Sequence, residues 1–186
     1  MTFIAIDGLD ASGKTTQALN LSKVLHDRGK TVCLRFHPSR DNFFGVKAKD
    51  FLYSQGKSAH FASALFYMID VIRSILLYSW RKYDYIIFVR YLMGTAYLPS
   101  PLHRIAYHFF AFTVPKSNFM FFLDVSPEEA SKRIQRARKK REMFENVEKL
   151  RQVRVKALSL ALTDRWKIIN ADKSEKEIEA EIRKFL

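Results

Sequence analysis

Eight consecutive residues, Gly8-Leu9-Asp10-Ala11-Ser12-Gly13-Lys14-Thr15, carry the densest chemistry in the chain. They match G-x-x-x-x-G-K-T, in which glycines let the main chain wrap its N–H groups around a polyphosphate. The pattern expects Lys14 to reach the β- and γ-phosphates and the Thr15 hydroxyl to hold Mg²⁺. Residues 8–15, with Thr16 behind them, are therefore expected to bind ATP or a close relative. A second cluster is cationic: Lys132, Arg133, Arg136, Arg138, Lys139, Lys140 and Arg141 fall within ten residues. Such a run suits a solvated helix face or a phosphate-binding segment. Phe66, Asp70 and Arg73 stand at i, i+4 and i+7, on one helical face. That trio could line a base pocket or simply hold an internal Asp70–Arg73 pair.

A loop of this kind needs a strand to deliver it and a helix to leave it. Phe3-Ile4-Ala5-Ile6 leads in, and the helix-compatible Gln17-Ala18-Leu19-Asn20-Leu21 follows. Five apolar runs predict strands: Phe3–Asp7, Thr31–Phe36, Tyr85–Val89, Phe119–Val125 and Trp166–Asn170. Continuous apolar strands suit a parallel sheet covered on both faces. Helical patterns alternate with them: after the loop, near 58–81, near 101–113, from Ser126-Pro127-Glu128-Glu129 onward, through roughly 142–162, and a last helix capped by Ser174. The alternation predicts one three-layer α/β/α domain over residues 1–186, with helices on both faces of a five-stranded parallel sheet. Ligands then bind beyond the C-terminal strand ends, which gives each strand exit functional interest.

Composition narrows the class. Of the 186 residues 48% are hydrophobic, which excludes a disordered chain, and the net charge of +13 asks for an anionic partner. Cys33 is the single cysteine, so no internal disulfide is possible and a reducing, cytoplasmic setting is expected. The chain enters its first strand without a signal-peptide pattern. The longest apolar segment, Ala62–Trp80, is broken by Asp70 and Arg73 and reads as a buried helix rather than a membrane span, although so apolar a helix is compatible with a homodimer interface. His37, His60, His103 and His108 show no metal-ligand spacing, and neither a Ser/His/Asp nor a cysteine-based site is visible.

The strand exits carry a resemblance. Asp7-Gly8-Leu9-Asp10-Ala11-Ser12-Gly13-Lys14-Thr15-Thr16-Gln17, Arg40 after the second strand, Arg90-Tyr91 after the third, and Leu123-Asp124-Val125-Ser126-Pro127-Glu128-Glu129-Ala130 before the basic run resemble the thymidylate kinases. These are nucleoside-monophosphate kinases of the P-loop group, and the likeness spans essentially the whole chain. It implies phosphorylation of a deoxynucleoside monophosphate, dTMP to dTDP, with ATP as donor and Mg²⁺ as cofactor. It implies that Asp10 contacts the sugar 3′-hydroxyl and that Arg40 and Arg90 hold the acceptor phosphate. The acceptor region is then about 37–100, with Phe66, Tyr67, Asp70, Arg73 and Tyr97 as further acceptor-site candidates. A basic lid, about 133–145, covers the phosphates with Arg136, Arg138 and Arg141 as candidate catalytic cations. Asn170 and Ala171 lie near adenine. The partners implied are small-molecule nucleotides; nucleic acid is disfavoured because the basic residues concentrate where a phosphate lid belongs.

Two positions depart from the resemblance. The third strand of the family ends in Asp-Arg-aromatic, whereas here it reads Val89-Arg90-Tyr91. Valine cannot coordinate a metal, and Asp7, Asp10, Asp84 and Glu142 are the acids that could substitute. On the long helix, alignment on Asp70 puts Tyr67 at the base-stacking position and Val71 where the family carries a base-reading arginine. A kinase for another nucleotide or nucleoside, or a nucleotide-binding protein without turnover, is the alternative these changes leave open.

Overall fold

The computed structural model describes residues 1–54, 57–78, 82–137 and 146–186. Among them, five parallel strands form one sheet in the order β2-β3-β1-β4-β5. The strands are β1 (Thr2–Gly8), β2 (Val32–Phe36), β3 (Tyr85–Val89), β4 (Phe119–Asp124) and β5 (Trp166–Asn170). Each predicted strand is present, displaced at its ends by no more than a residue. Ile4, Ala5, Ile6, Ile87, Phe88, Phe121 and Phe122 are sealed from solvent, which is why the central strands read as unbroken apolar runs. The edge strand β5 is more open: Trp166 and Ile169 are buried, while Lys167 and Ile168 are exposed.

Among the described residues seven helices lie between and beyond the strands: α1 (Lys14–Asp27), α2 (Phe43–Leu52), α3 (Lys57–Tyr78), α4 (Leu102–Thr113), α5 (Pro127–Ala137), α6 (Val147–Thr163) and α7 (Glu175–Arg183). Helix α1 packs on β1, β2 and β3 and on α7, while α6 packs on β4, β5, α4 and α5. Ser126 caps α5 by accepting from the Glu129 N–H, and Ser174 with Glu177 forms a full capping box on α7. Two elements were not anticipated from sequence. Helix α2 begins where Asn42 Oδ1 accepts from the Gly45 N–H at 3.0 Å, and a 3-10 turn occupies Met93–Tyr97.

Helix α3 corrects the sequence reading in one respect. Tyr67, Asp70, Val71, Ser74 and Ile75 face inward, yet Phe61, Leu65, Leu76 and Leu77 are exposed, so the helix is buried along one face only. Its segment Phe61–Tyr78 is long and apolar enough to span a membrane by composition, a measure that half-buried helices of globular proteins also meet. Cys33 is a buried free thiol.

The register explains where ligands can gather. Ile6 of β1 and Phe36 of β2 both stand opposite Val89 of β3, so the exits of all three strands meet at one place. The loop after the central strand therefore lies beside Arg90 and the His37–Pro38 segment.

Candidate active site

The phosphate loop turns on Gly13. At φ 89° it sits in the left-handed region at the N-cap of α1, a conformation other residue types reach only with strain. Ser12 N–H donates to Leu9 O at 3.2 Å, closing the loop, and Lys14 Nζ lies inside it, donating to Gly8 O at 2.9 Å, to Leu9 O and to Ser12 Oγ at 3.4 Å. With the loop amides and the positive end of α1 this makes an anion cradle. A groove runs from loop residues 11–17 past Arg90 and Arg133 to Lys173, Ser174 and Glu175 at the start of α7. Arg133 Nη1 reaches Ala11 O at 3.4 Å while its Nε holds Glu129 at 2.8 Å, bringing the basic face of α5 onto the loop.

On the other side of Arg90 lies a pocket bounded by Asp7, Asp10 and Gly8 at one end and by Ser63, Ala64 and Tyr67 of α3 at the other. Asp10 is buried and receives both the Arg90 guanidinium and the Tyr97 hydroxyl, the latter at 3.1 Å. An ionised carboxylate only accepts hydrogen bonds, so the chemistry of Asp10 suits a ligand hydroxyl. Burial pushes the Tyr97 phenol well above its ordinary value, and the neighbouring Asp10 charge adds to that, so it remains a donor at neutral pH. Asp7 accepts from the backbone N–H groups of Tyr91 (2.7 Å), Met93 (3.1 Å) and Gly8 (3.2 Å). Burial raises its pKa against those bonds and Lys14, which favour the anion. Its work is to clamp the β3 exit to the β1 exit.

Arg90 itself has φ 65°, an unusual value for a residue with a side chain, held by its N–H on Ile6 O at 3.0 Å. Its carbonyl receives His37 Nδ1 at 3.1 Å, which requires that nitrogen to carry the proton. Burial lowers the His37 pKa to about 4, so the ring is neutral under ordinary conditions. A further groove, bordered by Thr15, Arg40, Lys49, Val89 and Arg90, lies beside this segment. Arg90 thus borders all three cavities, and Thr15 borders two.

Comparison with known proteins agrees with this geometry. The family model described as Thymidylate kinase matches residues 6–182. The chain belongs to the thymidylate kinase family. It is 30% identical over 187 residues to the "Probable thymidylate kinase" of Pyrobaculum calidifontis, covering 97% of this chain and 93% of the relative. It is also 30% identical to the thymidylate kinase of Dictyostelium discoideum, over 97% of this chain and 82% of that one. The solved thymidylate kinase of Candida albicans superimposes with a TM-score of 0.78 at 20% identity, covering 99% and 90% of the two chains, which establishes a shared fold.

Within this family framework the sequence candidates divide. Ala11–Thr16 and Arg90 border the groove beside the phosphate loop, Gly8, Asp10, Tyr67, Arg90 and Tyr97 the pocket on the other side of Arg90, and exposed Arg40 the neighbouring cationic groove, while Leu9 is buried and borders none of the three. Arg35 of β2 is bound in a two-pronged pair with Asp41 at 2.8 and 3.0 Å, which pulls the Asp41 pKa far below the carboxylate range. The trio Phe66, Asp70 and Arg73 does not make a base pocket. Phe66 packs against Phe43, Phe44 and Phe51, with the last ring stacked at 5.8 Å. Asp70 is sealed from solvent and accepts from the Ser39 N–H at 2.6 Å and Asn42 Nδ2 at 2.7 Å, so it anchors the β2 exit. Arg73 borders none of the three cavities, and Asp70 bonds this loop rather than Arg73. A helical face says which residues point together, not which neighbour they meet.

Three further placements matter. Asp84 lies at the start of β3, bonded to Thr31 N–H and Oγ1 at the opposite end of the sheet, and cannot replace the acid missing at Val89. Asn170 Oδ1 accepts from its own turn at the Asp172 N–H, and Ala171 is buried, so Lys173, Ser174 and Glu175 border the groove rather than these two. Arg136 is exposed in the last turn of α5; Arg138, Arg141 and Glu142 lie outside the described residues. Sequence reasoning missed His37, Ser63 and the Lys173–Glu175 segment. Only Ser174, as a helix cap, left a signal.

Proposed function

We propose that this protein transfers the γ-phosphoryl group of ATP to dTMP, giving dTDP and ADP. The observation that carries the reading is Arg90, which borders a phosphate-loop groove on one side and a pocket holding Asp10 and Tyr97 on the other. One fixed cation between donor and acceptor suits a reaction whose difficulty is joining two anions and stabilising charge on the transferred group. In this reading Lys14 and the loop amides hold the donor phosphates, Asp10 receives the sugar hydroxyl, and Arg40 and Arg90 grip the acceptor phosphate. The acceptor oxygen attacks the γ-phosphorus as the bond to the ADP oxygen breaks. Arg133 and Arg136 cover the transferring group and help exclude water.

Mg²⁺ belongs to the same reading. Among the described residues no three His, Cys, Asp or Glu side chains gather into a metal site. Mg²⁺ keeps several waters and leans on phosphate oxygens with one or two protein ligands, so a single hydroxyl beside the phosphate loop suits it. The Thr15 hydroxyl, at the junction of the two grooves, is the protein ligand proposed. Bound there, the ion would neutralise phosphate charge and orient the γ-phosphoryl group. The remaining partners proposed are soluble nucleotides in a reducing cytoplasm, without membrane or nucleic acid, and a second copy of the chain. The exposed Phe61, Leu65 and Leu76 on α3 form an apolar stripe suited to self-association, which sedimentation would test.

A second reading, nucleotide binding without turnover, is favoured by Val89, buried and apolar where the family carries a carboxylate. Coupled ADP release with dTMP separates the two. Turnover with dTMP supports the kinase; ATP binding with no turnover selects the second reading. Val89→Asp leaves the rate equal or higher if no other acid has assumed the role.

A further inference from the structure

The acceptor-side pocket has two unlike ends. Asp7, Asp10 and Arg90 make one strongly polar, while the other is walled by Pro38, Leu52, Ser63, Ala64, Tyr67 and Gly94. At that second end the described side chains carry two hydroxyls, and both are already committed as donors. Tyr67 OH donates to Tyr91 O at 3.0 Å, and Ser63 Oγ donates to Ala48 O at 3.0 Å. A hydroxyl has one proton, so each presents only lone pairs to a ligand. The Tyr67 ring is also fixed in place: any side chain at Gly94 would run into its ring atoms, so the bare main chain lies directly on it. Val71, four residues on from Tyr67, is fully buried, and the Asp70 oxygens are spent on Ser39 and Asn42.

We infer that the pocket reads a nucleobase through an apolar wall and accepting hydroxyl oxygens, Ser63 Oγ foremost, and therefore takes pyrimidines with a donating edge without separating thymine, uracil and cytosine. The inference rests on the nucleotide-acceptor reading above and names its substrate class. Thymine and uracil offer N3–H to Ser63; cytosine offers its 4-amino group. The carbonyl at position 4, which distinguishes the first two from cytosine, meets no donor among the described side chains at this end. Sites that hydrogen-bond a distinguishing group reject analogues lacking it by roughly 10⁴–10⁵, whereas apolar walls give only about 10–200-fold for a methylene. The pocket belongs to the second kind, and the thymine methyl alone is worth about fourfold.

Equilibrium binding of dTMP, dUMP and dCMP to the full chain, by calorimetry, tests this without depending on turnover. The expected dissociation constants lie within tenfold of one another. In Ser63→Ala all three weaken by about tenfold, and ADP binding, which reports the intact donor groove, is unchanged. Ser63→Cys, nearer in size, repeats the loss should the alanine variant unfold. A preference for dTMP over dCMP beyond tenfold, or binding that ignores Ser63, overturns the inference even if dTMP is phosphorylated. Equal binding of all three with none phosphorylated leaves the inference standing and removes the kinase reading. Failure of all three to bind overturns both.

Discussion

The donor groove and the acceptor-side pocket meet at Arg90 but are built on opposite principles. The donor side is mostly main chain and one contiguous segment, residues 11–17, with α1 behind it. The acceptor side is mostly side chain, drawn from β1, the β2 exit, α2, α3 and the 3-10 turn. Backbone cradles depend on a few glycines and a helix, so their sequence pattern is rigid. A side-chain pocket can be rebuilt one residue at a time, and the two departures from the resemblance, Val89 and Val71, lie in β3 and α3 rather than in the loop. The chemistry of polyphosphate binding sits in the first region, and the freedom to change substrate sits in the second.

Lys14→Met strikes the donor side and carries the largest expected effect, a fall in kcat of about a thousandfold, comparable to losing a principal charge-stabilising donor. Thermal melting should be nearly unaltered and dTMP binding retained, since Lys14 Nζ donates within its own loop, to Gly8 O, Leu9 O and Ser12 Oγ. Loss of dTMP binding as well would mean that the two regions do not separate. Asp10→Asn should do the reverse. KM for the nucleotide acceptor rises by about tenfold or more while KM for ATP holds, as expected when one charge-assisted bond is weakened.

The comparison also has a pH signature. His37, at the β2 exit on the acceptor side, titrates at about 4 in the folded protein but near 6.5 once unfolded. The unfolded state therefore takes up the proton first as pH falls. Stability drops as pH is lowered from about 6.5 to about 4, by up to about 3 kcal/mol from this group, and is unaffected by it above pH 7. Urea denaturation at pH 7 and pH 4.5 should show the decline, and His37→Gln should reduce it. The smallest effect is Tyr67→Phe, which strips the Tyr91 carbonyl of its partner and costs about 1 kcal/mol. If donor-side kinetics changed along with stability, the Tyr67–Tyr91 contact would be transmitting to Arg90.

The same contrast decides what was legible in the sequence. The sheet was readable because the central strands are buried on both faces and so lack polar interruptions; Tyr85–Val89 and Trp166–Asn170 agree at both ends. The phosphate loop was readable because its function is a spacing. Helix α2 was hidden because its start depends on the Asn42 side chain, and Phe43-Phe44-Gly45 does not advertise a helix. Asp70 was misread because periodicity gives a face, while its partners Ser39 and Asn42 lie about thirty residues away. Ser63 left no trace at all, since a lone serine on a helix gains meaning only from the pocket opposite.

The central claim is that Arg90 stands between an ATP-binding groove and a nucleotide-acceptor pocket that together move one phosphoryl group. Phosphorus NMR of the protein mixed with ATP, Mg²⁺ and dTMP tests it directly. The account predicts that dTDP and ADP appear in equal amounts as ATP and dTMP disappear. Release of inorganic phosphate without dTDP, or no change in any signal, would contradict it.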